Sequence, residues 1–208
     1  MNLRSQYLPF IAATVLSLSA SAPAQAFSEA AFQAAFTHLM HPHQTEQAAA
    51  AFTALQQSEP GNPLLLAYRG ASTAKRAADT IFPWKKMAYA EEGMAMLDKA
   101  LQLASVAPAM HGNVPQQLEV KLTAANTFLA VPGFMHRAGQ AKQLLKDMLS
   151  DTRLQATPLA FRAAVWWCAA QQARAEKNLP LARNYLNQII EHHAEQSAQA
   201  VQLLKELS

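Results

Sequence analysis

Three imidazoles and a thioether fall within six residues at His38-Leu39-Met40-His41-Pro42-His43. That mixture of nitrogen and soft sulfur donors suits copper. The spacing works against a common centre: His41 and His43 flank a proline in a turn, whereas His38 lies on the helix that ends there. Convergence on one ion requires the loop to fold back. No His-Glu-x-x-His run and no paired cysteines accompany the cluster. His38, Met40, His41 and His43 are therefore a candidate metal set, and a polar turn is the plain alternative.

A second kind of chemistry is contact with a partner. Phe82-Pro83-Trp84-Lys85-Lys86 interrupts the helical pattern with an aromatic beside two cations. Tryptophan supplies a large apolar surface and the ammonium groups steer acidic partners. The alternative is that Trp84 folds back to plug a distorted junction. Arg137 follows the Pro132-Gly133 break at the start of a helix, where backbone N–H groups favour an anion. Together with Arg69 it is a candidate clamp for a peptide carboxylate, against which stands a simple ion pair with Glu91, Glu92 or Asp98. Tyr68, Arg69, Trp84, Lys85, Lys86 and Arg137 make up the candidate partner-binding set.

Catalytic patterns are missing from the chain. It holds no glycine-rich phosphate loop, no nucleophile elbow and no pair of acids isolated in an apolar run; Ser72 has no His-Asp context. The expectation is a non-enzyme with no cofactor. Cys168 is the single cysteine, so no intramolecular disulfide forms. Its neighbours Trp166, Trp167, Ala169 and Ala170 place it in a core rather than at a reactive site.

The opening residues bound where these groups work. Arg4, the apolar run Phe10 to Leu18 and Ala24-Gln25-Ala26 read as a cleaved signal peptide, Met1 to Ala26, which places the mature domain, residues 27–208, in the periplasm or outside the cell. No later apolar run is long enough to span a bilayer. Removing Arg4 lowers the formal charge from +3 to +2, and no block of lysine and arginine marks nucleic-acid binding.

The elements that must position these residues are helices. Period-two alternation is absent and β-branched residues are scarce beside alanine, leucine, glutamine and methionine, which predicts an all-α fold. Glu29 to Asn62 places Phe32, Ala35 and Leu39 on one helix and Ala48, Phe52 and Leu55 on the next, with Pro60 at the close. From Ala163, the same offsets select Trp166, Ala169, Ala170, Ala173, Ala182, Leu186 and Ile189, with a turn at Asn178 to Pro180. Both stretches resemble the helical hairpin of tetratricopeptide repeats, whose period is about 34 residues.

Between them, Leu64 to Asp79 and Trp84 to Ala104 read as one helical pair. Pro115 to Leu129 and Ala138 to Leu149 read as another. Glu195 to Leu207, with Ala198, Val201, Leu204 and Leu207 on one face, reads as a capping helix. The motifs Tyr68-Arg69-Gly70, Pro83-Trp84-Lys85-Lys86-Met87, Glu92-Gly93, Leu97-Asp98-Lys99-Ala100 and Val131-Pro132-Gly133-Phe134-Met135-His136-Arg137 are similar to a family of exported bacterial helical-repeat proteins that has no assigned activity.

These resemblances imply a right-handed α-solenoid of about four tetratricopeptide-like hairpins plus the cap. They imply a protein-protein interaction scaffold whose partner is an exported or envelope protein or peptide. The alternatives are a metal-handling protein built on the histidine cluster, and a helical protein with a small-ligand pocket between Trp84 and Phe134.

Overall fold

The computed structural model describes residues 27–106 and 108–207. The signal peptide read at Met1 to Ala26 lies outside the described residues. The fold is all-α, with nine α-helices among the described residues: α1 (Glu29–Met40), α2 (Thr45–Ser58), α3 (Pro63–Asp79), α4 (Pro83–Val106), α5 (Gln116–Ala130), α6 (Ala138–Leu149), α7 (Leu159–Ala175), α8 (Leu179–Glu191) and α9 (Ser197–Glu206). A two-stranded antiparallel ribbon, β1 (Met110–His111) with β2 (Val114–Pro115), stands where the sequence predicts only a connector.

Local chemistry sets the helix starts. Ser28 caps α1 by accepting from the Ala31 N–H, and Asn62 caps α3 by accepting from the N–H groups of Leu64 and Leu65. Pro63 at the first turn of α3 lacks an N–H that would have had no partner there anyway. Asn178 plays the same part for α8, with Pro180 behind it. These Asx-Pro starts are why the punctuation in the sequence coincides with the real element boundaries.

Helices pack in chain order: α1 on α2, α3 on α4, α5 on α6, α7 on α8, and α9 on α8. Between pairs, α2 meets α3, α3 and α4 meet α5, and α5 and α6 meet α7. One apolar core runs from Phe32 and Phe52 through Leu65, Leu97, Leu118 and Phe128 to Met148 and Cys168. A second lies under α9, built from Ala163, Trp166, Leu186, Ile189, Ala200 and Leu203. The residues selected by hairpin spacing are buried except for the half-buried Leu55, with Phe32 at 2%, Phe52 at 0%, Trp166 at 6% and Leu186 at 0% exposure.

Helices α3 and α4 cross with their backbones in close approach. A Cβ added to Gly93 would lie 2.5 Å from the Gly70 carbonyl oxygen and 2.6 Å from the Ala74 nitrogen; one added to Gly70 would lie 2.8 Å from the Gly93 oxygen. Only paired glycines let the two backbones touch here. One face was assigned wrongly from the sequence. In α9 the buried residues are Ala200 and Leu203, whereas Ala198 and Val201 are exposed. Trp166 and Ile189 form the surface that α9 meets, and that neighbour, rather than the helix's own pattern, decides which side goes in.

Candidate binding groove

A cavity of about 1350 Å³ follows from where the small residues fall. Ala71, Ala74, Ala77 and Ala78 on α3, Ala130 on α5 and Ala164 on α7 all line it. Leucines at those positions would close the space by packing across it; alanines leave it open. Larger apolar groups form its walls: Phe36, Leu39 and Met40 from α1, Met87 from α4, Phe134 and Met135 from the segment after α5, and Phe161 and Trp167 from α7. Polar groups are few and spaced, with Lys75, Lys86, Thr123, Asn126, Thr127, Gln196 and Gln199 among the lining. Among the described residues, α1, α3, α4, α5, α7 and the start of α9 contribute to the lining, while α2, α6 and α8 contribute nothing. An apolar cleft with scattered hydrogen-bonding groups is the usual form of a ligand site.

Beneath this groove runs a chain of polar groups. The Tyr68 hydroxyl donates to Glu119 Oε1 at 2.9 Å; the other carboxylate oxygen lies 2.8 Å from His111 Nδ1; His111 Nε2 lies 2.9 Å from Glu29 Oε2. Both imidazole nitrogens therefore face carboxylate oxygens. Ionised carboxylates only accept, so both nitrogens donate and His111 is an imidazolium. The hydrogen bond and charge of Glu119, reinforced by Glu29, push its pKa up from 6.5 to about 9 against the opposing cost of burial. The Phe32 ring packs edge-on to it, with centroids 4.8 Å apart. Burial first, then the neighbouring Glu119 charge, holds the Tyr68 hydroxyl well above the usual tyrosine range, so it stays a neutral donor. A smaller cavity of about 510 Å³, lined by Glu29, His111, Gly112, Val114, Glu119 and Phe161, opens beside the ribbon. Glu119 lines both cavities.

The partner-binding residues named from the sequence do not gather in one place. Tyr68 and Lys86 line the groove, with Tyr68 buried. Trp84 and Lys85 lie outside it on the α3–α4 corner, where Trp84 is exposed rather than folded back as a plug. Arg69 donates to Gln56 Oε1 at 2.8 Å. Arg137 forms a two-pronged pair with Asp98, at 2.9 and 2.8 Å, and stacks 5.1 Å from the centre of Phe128. Neither arginine lines the groove, and the ion pair with Asp98 is the plainer role weighed for Arg137.

The metal set is also dispersed among separate partners. His38 Nδ1 lies 2.7 Å from Gln44 Oε1, His43 faces Asp79 at 3.6 Å, and Met40 turns into the groove lining. Among the described residues no group of three or more His, Cys, Asp or Glu side chains is arranged to hold a metal ion. Cys168 is buried, and burial pushes its thiol up to about 12.

Glu29, His111 and Glu119 were not singled out from the sequence. Glu119 carried a legible sign, since it stands between Leu118 and Val120 in a buried helix face. Its partners carried none: Tyr68 is 51 positions away, and Glu29 is 82 from His111.

These features define an all-α protein with an open apolar groove beside a partly buried ionic chain. Compared with known proteins, the chain matches no family model, no curated protein and no solved structure.

Proposed function

We propose that the chain is a non-catalytic binding module whose groove takes an apolar segment of an exported or envelope protein. The finer architecture in this reading is a right-handed solenoid of four tetratricopeptide-like hairpins, α1–α2, α3–α4, α5–α6 and α7–α8, with α9 as the cap. One observation carries it: the cavity is lined by the leading helix of every pair, and of the trailing helices only α4 reaches it, through Pro83, Lys86, Met87 and Ala90. Such a lining supports the reading of a stacked-hairpin inner face, which suits an extended peptide or a partner's helix. Methionines at the groove, Met40, Met87 and Met135, add adaptable apolar contact. In this reading Met1 to Ala26 is a cleaved leader and the module works outside the cytoplasm, where a segment in transit is a natural occupant.

Asn126 tests this reading, because it lines the groove and is exposed, so changing it leaves the core intact. A photo-crosslinking residue at 126 is expected to trap a discrete exported protein, whereas the same residue at Glu92, exposed on α4 away from the groove, traps none. Asn126→Tyr fills the groove and abolishes the adduct formed from Ala130. Adducts of equal yield from both faces refute the reading.

A second reading is favoured by the room between Met87 and Phe134, both lining the groove. In it the occupant is a small apolar molecule rather than a peptide. Native mass spectrometry of the purified protein separates the two, since a bound small molecule adds a constant mass that Asn126→Tyr removes.

A further inference from the structure

We propose that the α3–α4 corner, Ile81 to Lys86, is a docking element for an anionic lipid surface. It adjoins the groove and shares only Pro83 and Lys86 with its lining. Three apolar side chains point outward there: Ile81 is 83% exposed, Trp84 66% and Phe82 41%. They form one cluster, with the Phe82 and Trp84 rings 5.0 Å apart and Lys85 Nζ 5.2 Å from the Phe82 centroid. Holding a contiguous apolar patch in water is unfavourable, and such patches mark surfaces that are covered in use.

Charge identifies what covers this one. Lys85 and Lys86 enter no ion pair among the described residues. No carboxylate occurs between Asp79 and Glu91. The corner is therefore locally cationic as well as apolar. A bilayer surface offers partners for both kinds of group, since its acyl boundary accepts isoleucine, phenylalanine and tryptophan and its phosphates meet lysine. It needs no shape match to so small a tip, which a protein face would. Among the described residues no helix is long and apolar enough to cross a membrane, so the attachment is peripheral.

Protein purified from cells expressing the full sequence, so that parent and variants share one N-terminus, is mixed with two kinds of vesicle. One is phosphatidylcholine alone, the other phosphatidylcholine with phosphatidylglycerol. Flotation measures binding and tryptophan emission measures insertion. Trp166 is buried but the half-buried Trp167 lines the groove, so the part of a blue shift that persists in Asn126→Tyr and is lost with Trp84 reports the corner. The parent is expected to float with the anionic vesicles and shift. Each lysine near an anionic surface is worth roughly fivefold in affinity, so Lys85→Gln with Lys86→Gln weakens binding about thirtyfold. Ile81→Ser with Trp84→Ser abolishes flotation, and both double variants keep the parent's Tm because the changed side chains are exposed. Absence of binding, equal binding to the two vesicle types, or binding that survives both double variants overturns the proposal. So does capture of a soluble protein through this corner without vesicle binding, which assigns the patch to a protein face. Asn126→Tyr separates this proposal from the groove reading: flotation is expected to persist, and its loss moves the lipid contact into the groove.

Discussion

Raising the pH should weaken the fold through one residue, His111. Its pKa is 6.5 for the free side chain and about 9 in the fold, set chiefly by the hydrogen bond and charge of Glu119 and then by Glu29. A group whose pKa rises on folding binds its proton more tightly in the native state, so its contribution is complete below about pH 6.5 and disappears as pH climbs through about 9. At 1.36 kcal/mol for each tenfold separation of the two constants, the full contribution would be about 3 kcal/mol. Glu29 is largely exposed and water reaches the ribbon, so screening reduces this to about 1–2 kcal/mol.

The assay is urea unfolding followed by far-UV circular dichroism between about pH 6 and about pH 9.5, on the parent and on His111→Gln. Glutamine keeps a donor for a carboxylate and has no proton to lose in this range. Subtracting the two curves removes the titration of other groups. The difference should shrink by about 1–2 kcal/mol across the window. A difference independent of pH would show that His111 is not the imidazolium its two carboxylate neighbours require. Tyr68 acts in the same direction at higher pH, because the unfolded phenol ionises near 10 while the buried one stays protonated.

Gly93→Ala should cost about 3 kcal/mol or more, because its new methyl meets the Gly70 carbonyl and Ala74 nitrogen, and backbone yields only if α3 and α4 separate. Denaturant midpoints measure it, and a loss within about 1 kcal/mol, the usual cost of a tolerated swap, would mean the crossing is looser than described. Cys168 should resist iodoacetamide in the native protein and react once urea unfolds it, since its thiol is buried and pushed up to about 12. Rapid native labelling, read by mass spectrometry, would place it at a reactive surface. Copper(I), copper(II) or zinc should bind the His38-Met40-His41-His43 stretch no more tightly than a scrambled peptide, because His38 and His43 face different partners and Met40 lines the groove. Calorimetric titration giving a single tight site lost in His41→Ala would reverse that.

Helix type, helix ends and most of the core were legible in the chain, because each depends on residues within a turn or two of one another. Phe32, Phe52, Leu97, Trp166 and Leu186 are buried where spacing predicts, and the Asn62-Pro63 and Asn178-to-Pro180 starts cap helices as their chemistry requires. Contacts across long separations were not. Arg69 looks like a free cation in a linear reading, yet folding brings Gln56 to it, and of the three acids weighed for Arg137 only packing selects Asp98. The face of α9 depended on a surface made by α7 and α8, so local periodicity misplaced Ala198 and Val201.

By itself the sequence determined an all-α chain with hairpin spacing at both ends of the domain, a buried cysteine and a corner rich in tryptophan and lysine. Those properties reside in side-chain type and local period. Tertiary structure alone decided that alanines from α3, α5 and α7 face one another across an open groove, and that Glu29, Tyr68, His111 and Glu119 meet beneath it. Proximity between residues tens of positions apart is a property of packing, and packing is settled only when all the helices compete for the same core.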